Sequence, residues 1–113
     1  MVSQIQIAKT AHAIHRAYCL EMNIPTQPHW DLVDNEHKEV VYNSIRHILA
    51  GNVTNVAESH YNFIKGKQDT GWVYGEEYSL KNKTNPRLCI FKNLTQEQRI
   101  KEALFFECIC SFK

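Results

Sequence analysis

The chain has 113 residues, enough for one domain and too few for a dinucleotide-binding fold with a second domain or for a barrel enzyme. Lys and Arg number 13 and Asp and Glu 12, and the formal charge of +1 gives no general drive toward nucleic acid or an anionic membrane. An apolar fraction of 43% with 22% charged residues is that of a globular domain able to bury its own core.

Ile7, Ala11, Ile14, Tyr18 and Met22 recur at steps of three and four, which predicts a first helix over residues 5–22. Ala8, His12, His15 and Cys19 form a second stripe beside it. Imidazole and thiolate are zinc ligands, but Cys19 lies two turns from His12, roughly 10 Å along the axis. A single zinc with bonds of about 2.1–2.3 Å does not span that distance. The stripe therefore reads as partly buried, hydrogen-bonded histidines, and no metal site is expected. Pro25 and Pro28 end the helix in an extended turn, and Trp30 is expected to plug that turn onto the core.

Asp34 or Asn35 caps a second predicted helix, whose inner face carries Val40, Val41, Ser44, Ile45, Ile48 and Leu49. Gly51 suits the left-handed position after it. Thr54 is the expected cap of a third helix with Val56, Ala57, His60, Phe63 and Ile64 on its apolar face. Gly66 and the Asp69-Thr70-Gly71 turn are expected to end it. Trp72-Val73-Tyr74 and Leu88-Cys89-Ile90-Phe91 read as two short strands pairing as an antiparallel ribbon. Trp72 and Tyr74 share side parity on such a strand, so Trp72 serves either as core packing or, with Tyr74, as an exposed stacking surface.

Thr95-x-x-Gln98 is a capping box that opens the fourth helix. From Ala103 to Cys110 that helix is apolar on nearly every side and must be covered all round. Some of that cover is expected from a second copy of the chain, a homodimer hiding Phe105, Phe106 and Cys110. The architecture expected is mainly α: one domain over residues 1–113, a compact bundle of about four helices with a short two-stranded β element between helices three and four.

Cys19, Cys89, Cys108 and Cys110 make an even count. Cys108 and Cys110, two apart on a helix, point about 200° away from each other. Gln4, Gln6, Lys9 and His12 interrupt any early apolar run, and no stretch reaches the roughly 20 apolar residues of a spanning helix. The expectation is a cytoplasmic chain with reduced thiols and no membrane insertion.

Charge is balanced globally but not locally. Between Lys81 and Lys101 lie six cations and one acid, Glu97, while residues 1–80 carry a net −3. Basic side chains beside Trp72 and Tyr74 suit an anionic or phosphate-bearing ligand, and they equally suit a solvated loop. No phosphate-binding glycine loop, dinucleotide fingerprint or nucleophile elbow occurs, and the Glu76-Glu77 doublet reads as solvated. Neither a catalytic residue nor a cofactor is assigned. A histidine–cysteine enzyme or metal protein is a third alternative, without a motif to support it.

Several runs resemble the ryanodine-receptor (RyR) domain family. They are His12 with Arg16-Ala17-Tyr18-Cys19, Gln27-Pro28-x-Trp30, Ser59-His60 and Gly71-Trp72-Val73-Tyr74-Gly75. Lys83-Thr84-x-Pro86-x-Leu88 and Gln98-Arg99-x-Lys101-x-x-Leu104-Phe105 continue the likeness, which spans residues 7–105. The chain departs from the family pattern at Asn85, where a histidine is usual, at Cys89-Ile90-Phe91, where Val-Pro-Tyr is usual, and at Phe63, where a tryptophan is usual. Asn85 can hydrogen-bond but does not titrate near pH 7. The resemblance implies a helical unit with a short β element, found in tandem pairs on the cytoplasmic side of calcium-release channels and as free-standing copies in bacteria and phages. Ligand sensing, including of nucleotides, has been proposed for the family. On this basis the chain is expected to be a non-catalytic module holding an anionic or nucleotide-like small ligand. Its candidate residues are Trp72, Tyr74, Gly75, Lys81, Lys83, Thr84, Asn85, Arg87 and Arg99. The alternative is a structural or interaction module acting as a homodimer without a small ligand.

Overall fold

The computed structural model describes residues 2–113. Each helix starts where a short polar side chain satisfies the first free backbone N–H groups. Helix α1 (Gln4–Glu21) opens on a capping box, with Ser3 Oγ accepting from the Gln6 amide and Gln6 Oε1 accepting from the Ser3 amide. Helix α2 (Asn35–Leu49) is capped by Asp34, whose Oδ1 accepts from the His37 amide at 2.8 Å. Helix α3 (Val56–Asp69) is capped by Asn55, one residue later than expected. Thr54 instead donates its amide and hydroxyl to the Glu58 carboxylate at 2.8 and 2.7 Å. Helix α4 (Gln96–Cys110) opens on the Thr95–Gln98 capping box.

Stop signals differ in strength. Gly51 adopts φ +81° just past α2, as the left-handed position requires. Gly66 does not end α3, which runs through it to Asp69. A Cβ there would lie 3.2 Å from Val40 Cγ1, so the glycine lets α3 approach α2 closely. The turn after Asp69 ends the helix, with Thr70 Oγ1 donating to the Lys67 carbonyl at 2.9 Å and Gly71 at φ +92°.

The β element lies between α3 and α4 as expected, but its partner and direction differ. Strand β1 (Val73–Tyr74) pairs with β2 (Thr84–Asn85), and the two run parallel. Leu88-Cys89-Ile90-Phe91 is not a strand: Leu88 is buried, the Cys89 carbonyl accepts from the His60 ring, and Phe91 begins a 3-10 turn. The chain leaves Tyr74, folds back through an antiparallel bridge between Ser79 and Thr84, and returns beside its starting point. This local excursion replaces the dozen-residue crossover that parallel strands ordinarily need.

The core is helical. Ile7, Ala8, Trp30, Val33, Ile45, Ile48, Val53, Phe106 and Ile109 form its buried cluster. Ile45, Ile48 and Ile109 are at most 1% exposed. Each contributes about 1.5–3 kcal/mol by burial, against roughly 1 kcal/mol for a ladder hydrogen bond, so the two-residue ribbon is held by the bundle. On α1 the inner face carries Ile7, Ala8, Ala11, His12 and Cys19, while Ile14 and Met22 are exposed. Helix α4 packs on α1, α2 and α3, which buries Phe106 and Ile109 and leaves Phe105 and Cys110 half-buried against the core. Within the described residues the chain itself thus provides much of the cover expected from a second copy. No helix of the described residues is long and apolar enough to cross a membrane.

Candidate functional site

The nine residues expected to hold a ligand do not form one surface. Trp72 is 3% exposed: its ring lies 5.6 Å from that of Tyr78, Lys67 Nζ sits 4.9 Å above it, and its Nε1 donates to Glu36 at 3.5 Å. Tyr74 is exposed, so the two rings make no joint stacking face. Lys83 is turned into the fold, donating to the Thr70 carbonyl at 2.6 Å and to Glu36 Oε1 at 3.1 Å. Its backbone is left-handed at φ +54°. Thr84 Oγ1 donates to the Glu77 carbonyl at 2.8 Å. Gly75 faces Thr84 so closely that a Cβ would stand 2.6 Å from the Thr84 Cβ. Buried Asn85 caps its own turn, its Oδ1 accepting from the Arg87 amide at 2.9 Å. Lys81 and Arg99 are exposed. The Gly-Trp-Val-Tyr-Gly run and the Lys-Thr-Asn-Pro run therefore form a clasp that pins residues 71–86 to the start of α2.

Of the nine, Arg87 lines a cavity. That cavity, of about 80 Å³, lies among the four helices. Ala8 and Ala11 of α1 create its space, and Trp30, Val41, Phe63 and Phe105 give it apolar walls. Its polar wall comes from His12 and His15 on α1, His37 and Ser44 on α2, Ser59 on α3, Lys101 and Glu102 on α4, and Arg87 from the loop. The sequence contains the His12–His15 stripe and the basic run, but nothing in either points to the other.

A buried ionic cluster forms one side. Arg87 stacks over the Phe63 ring at 4.7 Å and donates through Nη2 to Glu102 Oε1. The same oxygen lies 3.2 Å from His60 Nδ1, and the other ring nitrogen of His60 donates to the Cys89 carbonyl at 2.7 Å. Burial pushes the Glu102 carboxyl up, but the Arg87 charge and hydrogen bonds from His60 and Arg87 outweigh it and hold the group at about 2. Glu102 is therefore ionised at neutral pH. Arg87 Nε, by contrast, is buried without a hydrogen-bond partner among the described residues.

The histidines are fixed by their partners. His12 Nε2 donates to the Pro28 carbonyl at 2.6 Å, and its ring meets Trp30 edge-on at 5.5 Å. His15 is lowered to about 4, chiefly by burial and then by the charges of Arg87 and Lys101. His37 is lowered to about 3 by burial and by Lys67, whose Nζ donates to His37 Nδ1 at 2.8 Å. Burial also lowers Lys67, against the opposing charges of Asp34 and Glu36. Accepting at Nδ1 leaves His37 with its proton on Nε2, a donor.

Buried Cys19 lies 3.9 Å from His15 Nδ1, and burial with the Arg87 and Lys101 charges makes that ring a weak base toward the thiol. Among the described residues, no group of three or more His, Cys, Asp or Glu side chains is placed to hold a metal ion. All four cysteines are free thiols. No family model, curated protein or solved structure matches this chain.

Proposed function

We propose that this chain is a non-catalytic binding module and that the cavity among its four helices receives a small anionic ligand. The observation that carries this reading is a cavity of about 80 Å³ whose wall sets the Arg87 cation beside the apolar rings of Phe63 and Phe105. Lys101 adds a second cation to the wall, and its charge is felt at His15. The resemblance of residues 7–105 to the RyR domain supports the same reading, although the binding position moves from the clasp to the cavity. Free thiols are consistent with a cytoplasmic module.

A thermal-shift screen of small anions and nucleotides tests the reading. A ligand at 100 times its Kd adds about 2.7 kcal/mol to stability, which is roughly 10 °C in Tm for a chain this size. If no anion raises Tm at millimolar concentration, the reading fails.

A homodimer through α4 is the second reading. It is favoured by an apolar groove between α1 and α4, lined by Ile14, Ile100, Ala103, Leu104, Cys108 and Phe112. Light scattering that returns the monomer mass at high protein concentration removes it.

A further inference from the structure

We propose that the surface groove between α1 and the turn at residues 29–31 is a second ligand site, and that it takes an aromatic carboxylate of one or two rings, with its head on Arg16 and its rings over Ala13 and Ala17.

One stripe of α1 builds the groove. Lys9, Ala13, Arg16, Ala17 and Leu20 follow one another along a single helix face over about 16 Å, and Trp30 and Asp31 close the other side. Two hydrogen bonds fix the turn against the helix: His12 Nε2 donates to the Pro28 carbonyl at 2.6 Å, and Arg16 Nε donates to the Gln27 carbonyl at 2.9 Å. The Arg16-Ala17-Tyr18-Cys19 and Gln27-Pro28-x-Trp30 runs, which the clasp leaves unused, therefore meet here. His12 and Trp30 line this groove and the interior cavity alike, and so stand between the two.

Arg16 supplies an accessible cation. Its side chain is half-buried with Nε spent on Gln27, while its terminal nitrogens are neither buried nor hydrogen-bonded among the described residues. No carboxylate of the described residues pairs with it, whereas Lys9 faces Asp31 at 4.0 Å. Of the Lys and Arg side chains in the wall, Arg16 is thus the one left without an acid. With Nε pinned, the two ends of the guanidinium form a fork in a set plane, the geometry that a carboxylate accepts. Asp31 at the mouth disfavours a second negative charge on the ligand.

Shape and lining select a flat apolar body. Ala13 and Ala17, one turn apart, present only methyl groups to the floor, and Leu20 beside them is 60% exposed. Covering such surface with an aromatic ring removes apolar area from water, which a bare inorganic anion does not do. The groove measures about 380 Å³. A cavity of about 150 Å³ holds benzene, and small-molecule sites run from about 300 to 1,000 Å³, so one or two rings with a carboxylate fit.

Calorimetric titration of the full chain with sodium 2-naphthoate, 2-naphthamide and sodium phosphate tests this assignment. Naphthoate is expected to bind with a Kd below about 1 mM, and the uncharged amide at least about tenfold more weakly. Arg16→Gln should weaken naphthoate about tenfold or more. Ala17→Leu places a good helix former at an exposed position, so the chain stays folded while the floor is crowded and binding falls to a similar degree. Should Arg16→Gln fail to fold, Ala17→Leu and the amide decide the matter. Lys101→Met, in the interior cavity, should leave naphthoate unchanged. Naphthamide binding as tightly as naphthoate, or undiminished binding to folded Ala17→Leu, overturns the assignment. Naphthoate binding that Lys101→Met removes and Arg16→Gln spares also overturns it, by moving the site to the interior. Silence of naphthoate up to about 1 mM overturns the groove site, and a Tm response to small anions that Lys101→Met abolishes would leave the interior site standing.

Discussion

Glu102→Gln isolates the charge at the centre of the bundle. The substitution keeps the shape of the side chain and an oxygen that accepts from Arg87, and it removes the negative charge that Arg87 and His60 face. Glu102 is held at about 2, against 4.5 for an unperturbed glutamate. A carboxyl lowered on folding contributes stability that is fully present above its unfolded value and is lost as pH falls through the folded one. At about 1.4 kcal/mol per pH unit, the gap is worth roughly 3 kcal/mol at pH 7. Solvent screening takes little from this, because the side chain is 3% exposed. With an unfolding entropy near 2.1 cal/mol/K per residue, the loss lowers Tm by about 12 °C. Urea melts followed by circular dichroism at pH 7, 5 and 3 measure it. We expect the full difference at pH 7 and 5 and a smaller one at pH 3, as the native carboxyl approaches protonation. Equal stabilities at pH 7, or a difference unchanged by acid, would refute the electrostatic role assigned to Glu102.

Two further expectations concern the wall and the clasp. His15 and His37 are lowered to about 4 and about 3 from 6.5, so the unfolded chain takes up protons that the folded chain does not. Stability should therefore be full above pH 6.5 and fall with acid toward pH 4, by up to about 1.4 kcal/mol per pH unit for each ring. His15→Leu should flatten that slope in urea melts between pH 7 and 4, and an unchanged slope would count against a buried neutral ring. Gly75→Ala should destabilise by about 1–3 kcal/mol, because the new methyl would stand 2.6 Å from the Thr84 Cβ. A neutral effect in thermal melts would mean that the clasp is looser than described.

Local chemistry was legible in the sequence. The Thr95–Gln98 box, the Asp34 cap and the left-handed Gly51 each act within a few residues, and each stands where the pattern placed it. The order of four helices around a small β element followed from periodicity. Features set by distant partners were not legible. Strand β2 owes its place to the Ser79–Thr84 bridge and to Lys83, which reaches Glu36, 47 residues away. The basic run between Lys81 and Lys101 suggested one anionic site, but folding disperses it. Lys83 turns to α2, Lys81, Lys92 and Arg99 stay in solvent, and Arg87 and Lys101 face the cavity. The cavity is lined by two small residues of α1, Ala8 and Ala11, together with Phe63 and Phe105. An alanine in a helix reads as an ordinary helix former, so nothing in its type announces an empty space. The family-like Gly-Trp-Val-Tyr-Gly run was the most distinctive motif, and its residues close a loop: buried Trp72 donates to Glu36, and Gly75 makes room for Thr84.

The most direct measurement follows the Arg87 guanidinium signals in a proton–nitrogen correlation spectrum, assigned with Arg87→Lys, while the small anions of the thermal-shift screen are added. We predict that these signals shift with a saturable dose response for an anion that raises Tm, because Arg87 lines the cavity that receives it. Arg87 signals that stay fixed while an anion binds elsewhere, or while no resonance moves, would contradict a ligand site in this cavity.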